Sequence, residues 1–109
     1  MTKKDILKAI REIEKEDGKT DFSYDENVDR LFYDIAQRIE LPFDCYLRNS
    51  SGGDSWLQSE YYSDKLRKTI IWNYDVGNFD DKNELADFII RESKEIEAFE
   101  AKLPDSLKI

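Results

Sequence analysis

Four acidic side chains crowd one short stretch of this sequence: Asp75, Asp80, Asp81 and Glu84. Glycoside hydrolysis and Mg²⁺-dependent phosphoryl transfer need only carboxylates at the reacting centre, so this cluster has the side chains for either chemistry. However, Asp81-Lys82-Asn83-Glu84 also resembles a capping box with aspartate in the first place, and a helical pattern follows it. Capping of a helix by Asp80 or Asp81 is the preferred interpretation, and we expect no catalytic residues.

The sequence has no histidine, and Cys45 is its single cysteine. Histidine is the usual general base and the commonest transition-metal ligand, so the familiar nucleophilic dyads are excluded. The run from Asp75 to Glu84 is rich in oxygen donors but lacks the spacing of a calcium loop, and Gly52-Gly53 lacks the lysine of a phosphate-binding loop. We therefore expect no metal site and no cofactor. Cys45 is expected to act as a small buried apolar residue, in a protein of a reducing compartment.

Acidic residues outnumber basic ones by 25 to 17, and the surplus is segregated. Residues 21–42 carry six acidic and two basic side chains, residues 75–109 carry ten and five, and the stretch between them is balanced. The basic cluster of Lys65, Arg67 and Lys68 is too small to outweigh the net negative charge of the chain. Such a chain attracts basic proteins and repels nucleic acid and anionic membranes, which favours an acidic binding module over an enzyme.

The remaining candidates are aromatic residues interleaved with acids. Trp56, Tyr61 and Tyr62 share one predicted strand with Glu60, and Tyr33 falls among carboxylates opposite the apolar stripe of a predicted helix. Aromatic anchors beside carboxylates are the composition of an inhibitor that covers a basic active site. The predicted partner-binding residues are Glu26, Asp29, Tyr33, Asp34, Asp54, Trp56, Glu60, Tyr61, Tyr62, Asp64 and Asp75.

The elements that must position these residues follow from hydrophobic periodicity. Helical spacing predicts two helices, after Thr2 and after Ser23, and alternation from Phe43 predicts a strand that is followed by two more, at residues 55–62 and 66–74. A long helix is expected from about residue 81 to residue 102, and residues 104–109 as a frayed tail. We predict a single α+β domain over residues 1–109, of order ααβββα, with a three-stranded antiparallel meander packed against the helices.

Two local patterns make finer predictions. Ser23-Tyr24-Asp25-Glu26 has the S-x-x-E form of a capping box, so Ser23 should cap the second helix, which should end at Leu41-Pro42. In the third strand, strict alternation places Ile70, Trp72 and Tyr74 on one face.

Glu92 interrupts the apolar stripe of the last helix, between Ile89 and Ile96. An unpaired carboxylate inside a core is costly, so we expect Glu92 at the rim of the core. The last turns of the helix should then pack on the first helix or on a second copy of the chain, as a weak homodimer.

These patterns predict an acidic inhibitor that occupies a basic surface of a partner protein, such as a nuclease or another nucleic-acid enzyme. Examples are an immunity protein for a nuclease-like toxin and a phage-encoded, DNA-mimicking antagonist such as an anti-CRISPR. Binding to nucleic acid itself or to membrane is not expected. The sequence has no apolar run of about 18 residues and no signal-like segment, so we expect a complete cytoplasmic protein. The alternative is a structural or adaptor domain with no inhibitory role.

Overall fold

The computed structural model describes residues 1–18 and 22–104 and has the predicted order of elements. The helices and strands are α1 (Lys3–Asp17), α2 (Asp25–Ala36), β1 (Asp44–Asn49), β2 (Ser55–Ser63), β3 (Lys68–Asn73) and α3 (Lys82–Lys102). β2 is the central strand and pairs antiparallel with both neighbours. The predicted α+β meander is confirmed. Residues 105–109 of the predicted tail lie outside the described residues.

Side-chain caps begin α1 and α3 as the sequence predicts. Thr2 and Asp5 form a reciprocal capping box: Asp5 Oδ2 accepts from the Thr2 amide at 3.0 Å, and Thr2 Oγ1 accepts from the Asp5 amide at 3.3 Å. The bond from the Thr2 backbone is the main reason that the pKa of Asp5 is lowered. Asp81 is the N-cap of α3 and accepts from the Glu84 amide at 2.9 Å. The carboxylate of Asp81 is thus accounted for by helix capping.

Both predicted ends of α2 are wrong. Tyr24, not Ser23, is the N-cap, and its side chain makes no capping hydrogen bond. The helix also ends at Ala36, five residues before Leu41. The amides of residues 38 and 39 both bond to the Ile35 carbonyl, so the chain turns there and reaches Pro42 in non-helical conformation.

The core lies between the helices and one face of the sheet. The buried stripes are Ile6, Ala9, Ile10 and Ile13 of α1, Val28, Leu31, Phe32 and Ile35 of α2, and Leu85, Phe88, Ile89 and Ile96 of α3. The rings of Phe32, Phe43 and Phe88 contact one another with centroids 6.1 to 6.5 Å apart. Cys45 is buried beside them, as predicted, and burial raises the pKa of its thiol.

A β-bulge in β3 breaks the strict alternation on which one prediction rested. Ser59 pairs with Asn73, but its neighbour Glu60 pairs with Ile71, so Trp72 is an extra residue in β3. A bulge of this kind changes the face on which the following side chains lie.

The bulge separates two aromatic residues that were predicted to share a face. Trp72 contacts Tyr61 and Phe99 on the helix side of the sheet, with ring centroids 5.8 and 5.5 Å away. Tyr74 instead stacks on Trp56 on the opposite side, with centroids 5.4 Å apart and planes 18° apart. The predicted grouping of Tyr74 with Trp72 is therefore wrong. Phe99 also places the last turns of α3 against β3, while packing on a second copy stays a prediction.

Glu92 is buried, with 5% of its surface exposed, so the predicted rim position is wrong. The side-chain amide of Asn73 donates to Glu92 Oε1 at 2.7 Å and to Ser59 Oγ at 2.9 Å. β3 thus supplies a hydrogen-bond partner inside the core, which the helical pattern could not reveal. A hydrogen bond with Glu92 is the main reason that the pKa of Glu95 is raised.

Candidate functional site

The two faces of the sheet differ in what covers them. Along β2, alternate residues such as Leu57 and Ser59 point toward the helices and are buried under them. The opposite face carries large apolar side chains that are left uncovered: Tyr62, Ile71 and Tyr74 are 60, 55 and 66% exposed. We call this surface the open face. It consists of Asp44, Tyr46, Arg48, Trp56, Gln58, Glu60, Tyr62, Ile71 and Tyr74, of which Gln58 is itself buried.

A row of side-chain hydrogen bonds runs along β2 on the open face. Trp56 Nε1 donates to Gln58 Oε1 at 3.3 Å, and Gln58 Nε2 donates to Glu60 Oε2 at 3.3 Å. Tyr74 stacks on the indole of Trp56 at the start of this row. These contacts orient Trp56 and Glu60, which lie four residues apart on the same face of β2.

Glu60 is the centre of the open face. Its carboxylate lies 3.8 Å from Nη2 of Arg48, and the guanidinium carbon of Arg48 lies 4.8 Å from the centroid of the Tyr46 ring. Burial, and then a hydrogen bond to Glu60, raise the pKa of the Tyr46 hydroxyl. Asp44 is the cross-strand partner of Glu60, so two carboxylates face each other across β1 and β2.

Further acids surround the open face. Asp54 lies in the exposed turn between β1 and β2, Asp64 in the turn between β2 and β3, and Asp75 directly follows Tyr74. All three are exposed. Asp75 also lies close enough to α2 to raise the pKa of Asp25, although burial is the larger cause of that shift. Carboxylates therefore stand at both ends of an aromatic surface, and at the β2–β3 end they are accompanied by the basic residues Lys65 and Arg67.

A groove of about 440 Å³ joins the open face to α2. Asp29 and Tyr33 of α2 line one side of it, and Asp44 and Tyr46 of β1 line the other. Tyr33 is exposed, as predicted, and Glu26 is exposed on the same helix, while Asp34 is half-buried. The groove thus brings Asp29 and Tyr33, two of the predicted residues of α2, next to Asp44 of the sheet, while Glu26 and Asp34 do not line it.

Asp29 also has a structural contact. Its Oδ1 accepts a 2.9 Å hydrogen bond from the backbone amide of Leu47, on the outer edge of β1. The carboxylate satisfies an amide that an edge strand would otherwise leave unpaired, so it holds α2 against the sheet.

Tyr61 does not belong to the open face. It is 5% exposed, and its hydroxyl donates to Glu100 Oε2 at 2.8 Å on the helix side of the sheet. Ser63 donates to both oxygens of Glu100 at 3.0 Å, and Lys65 Nζ donates to the carbonyls of Glu100 and Leu103 at 2.9 and 3.1 Å. Of the predicted site residues, Tyr61 is therefore corrected to a residue that docks α3 on the sheet.

Conversely, six members of the open face were not among the predicted partner-binding residues: Asp44, Tyr46, Arg48, Gln58, Ile71 and Tyr74. Alternation in β1 already placed Tyr46 and Arg48 opposite Cys45, and this signal could have been used. The bulge hid the position of Tyr74 relative to Trp56.

A larger groove, of about 930 Å³, lies between α1, residues 38–42 and α3. Its charged lining residues have both signs, among them Lys8, Arg38 and Lys94 beside Glu12 and Glu97. The residues that line it include no aromatic side chain among those described, whereas the open face carries several.

Within residues 1–18 and 22–104, no group of three or more acidic or cysteine side chains is placed to hold a metal ion. No helix in the same ranges combines the length and apolar character needed to cross a membrane. Comparisons with protein-family models, curated proteins and solved structures give no significant match to this chain.

Proposed function

We propose that this chain is an acidic inhibitor that binds a basic surface of a partner protein through the open face and the adjoining α2/β1 groove. The observation that carries the proposal is the uncovered side of the sheet, where Tyr62, Ile71 and Tyr74 are more than half exposed. Exposed apolar side chains that cluster on one face mark interaction surfaces more often than single exposed ones do.

The side chains of the open face suit protein recognition. Tyr and Trp supply large contact areas at a small cost in conformational entropy, and they dominate the energetics of protein interfaces. Trp56 is already fixed by its stack on Tyr74 and its hydrogen bond to Gln58. A pre-oriented anchor of this kind loses little freedom on binding, so more of its contact energy remains as affinity.

Charge decides the chemistry of the partner. Asp54, Asp64 and Asp75 stand around the aromatic residues, and the whole chain carries a net charge of −8. Long-range attraction then steers a basic surface toward the protein and raises the association rate, whereas the phosphates of DNA or RNA are repelled.

A nucleic-acid enzyme presents such a basic surface in its substrate cleft. Occupation of that cleft by carboxylates and aromatic anchors would block the substrate, as expected of an immunity protein against a nuclease-like toxin or of a phage-encoded DNA mimic. We place this activity in the cytoplasm, where a lone cysteine stays reduced. An adaptor domain that binds without inhibiting is the second candidate, because the same surface serves either purpose.

The experiment compares two charge-matched double variants. Asp44→Asn with Glu60→Gln alters the open face, whereas Asp17→Asn with Glu97→Gln removes the same charge from exposed positions on α1 and α3. The immobilised wild type is used to isolate binding proteins from an extract of its source, and an identified basic protein is purified for kinetics. We expect the open-face variant to dissociate much faster than both the control variant and the wild type.

Two further measurements separate the candidates. Addition of this protein in increasing amounts to the purified partner should inhibit the partner's activity on its nucleic acid stoichiometrically. Binding without inhibition would favour the adaptor domain. The association rate should fall steeply with added salt, because a Debye length of about 8 Å at physiological ionic strength screens steering. Equal dissociation rates for the two double variants, or saturable binding of duplex DNA at low salt, would contradict the proposal.

A further inference from the structure

Arg48 is the one basic side chain among the residues that make up the open face. Its guanidinium lies over the Tyr46 ring, 4.8 Å from the centroid, and 3.8 Å from Glu60 Oε2. The side chain of Arg48 is 49% exposed and that of Glu60 is 17% exposed. The carboxylate is thus held in place by its surroundings, while the guanidinium beside it remains open to solvent.

The surroundings of this pair are arranged for a cation. Asp44 and Glu60 are cross-strand partners, and like charges directly opposite each other destabilise a sheet. The Tyr46 ring offers the negative face of its π-system on the same side. The long contact from Arg48 to Glu60 is of the kind that contributes little to stability, so its replacement costs little.

We propose that an arginine of the partner protein displaces Arg48 and takes its place between the Tyr46 ring and the carboxylates of Glu60 and Asp44. This inference rests on the proposed function, because it specifies the chemistry by which the open face recognises a basic surface. Arg48 is then an internal competitor that keeps the subsite filled until the partner binds.

The geometry favours arginine over lysine. A guanidinium is planar, so it can stack on a tyrosine ring while two of its N–H groups point at a carboxylate. The ammonium group of lysine is a compact point charge and is more strongly hydrated, so it gains less from the ring. A partner that fills this subsite with arginine should therefore bind more tightly than one that fills it with lysine.

The test uses two short labelled peptides of equal length, one alternating arginine with glycine and the other lysine with glycine. Fluorescence anisotropy at low salt measures their binding to the whole protein. We expect the arginine peptide to bind about twofold to fivefold more tightly than the lysine peptide, in line with an exposed cation–π contact. Glu60→Gln should remove this preference, whereas Glu97→Gln, which removes the same charge from α3, should preserve it.

Removal of the competitor gives an independent result. Arg48→Gln should tighten binding of the arginine peptide about twofold to fivefold more than Arg11→Gln does, since Arg11→Gln removes the same charge from the exposed face of α1. Far-ultraviolet circular dichroism checks that each variant is folded. Equal binding of the two peptides, or equal effects of Arg48→Gln and Arg11→Gln, would overturn the arginine subsite and leave the proposed function standing. Failure of both peptides to bind would overturn both.

Discussion

The side-chain amide of Asn73 donates a 2.7 Å hydrogen bond to Oε1 of Glu92 inside the core. The same amide bonds to the hydroxyl of Ser59, so the last helix and two strands meet in one buried polar contact. Networks of this kind are stable only while every member keeps a partner, because an unpaired buried group retains its full desolvation cost.

Replacement of Glu92 tests that contact. Glu92→Leu should lower the free energy of unfolding by about 1–3 kcal/mol, since it removes an acceptor from the buried Asn73 amide. Glu92→Gln keeps a carbonyl oxygen and should cost clearly less. Urea unfolding measures both, with Glu97→Leu as the exposed control on the same helix. An unchanged midpoint for Glu92→Leu would mean that the carboxylate lies in water.

We expect the protein to lose stability at alkaline pH because of the buried hydroxyl of Tyr61. Burial, and then its hydrogen bond to Glu100, raise the pKa of its hydroxyl to about 12, above the value of 10.0 that it has when exposed. Between these two values the folded chain holds a proton that the unfolded chain has released, so stability is full below pH 10 and falls as pH rises toward 12. Tyr61→Phe should be less stable at neutral pH but show a shallower fall above pH 10, as chemical unfolding at a series of pH values would reveal. Parallel curves for the two proteins would contradict the assignment.

The carboxylate of Asp44 should lower the stability of the fold, although it belongs to the proposed binding surface. Because it faces Glu60 across β1 and β2, Asp44→Asn should relieve repulsion and raise the free energy of unfolding by about 0.2–1 kcal/mol. Asp54→Asn, in the exposed turn of the same hairpin, is the control and should change stability less. Thermal unfolding at low and high salt distinguishes them, since the gain from Asp44→Asn should shrink as salt screens the repulsion. A loss of stability in Asp44→Asn at low salt would show that the two carboxylates do not repel each other.

Lys65 should hold the end of α3. Its ammonium group donates to the carbonyl of Glu100, which also accepts from the Leu103 amide, and to the carbonyl of Leu103 at the C-cap. The end of a helix carries partial negative charge, which favours a cation there. Lys65→Met should cost about 0.3–1 kcal/mol and speed hydrogen exchange in the last turns of α3 before any change elsewhere. Lys68→Met, three residues away on an exposed position of β3, provides the comparison. Equal hydrogen-exchange rates in the last turns of α3 for the two variants would show that Lys65 does not hold the end of the helix.

Hydrophobic periodicity by itself determined the number, type and order of the elements. The stripes of α1, α2 and α3 and the alternation in β1 are local properties, since each element must bury one face whatever its neighbours are. The acidic and aromatic composition of the candidate site was also visible in the sequence. Trp56, Glu60 and Tyr62 share a face because they are separated by even numbers of residues on one strand, whereas Tyr61, predicted with them, lies on the other face.

Only the tertiary structure decided which side chains meet. The extra residue at Trp72 depends on the pairing of two strands, and it moved Tyr74 to the open face beside Trp56. The burial of Glu92 and Tyr61 likewise depends on partners that are distant in sequence, Asn73 and Glu100. The periodic pattern of a sequence predicts which face of an element is buried. A hydrogen bond or a stacked ring also requires a second residue at contact distance. That distance is set by the packing of the elements against one another.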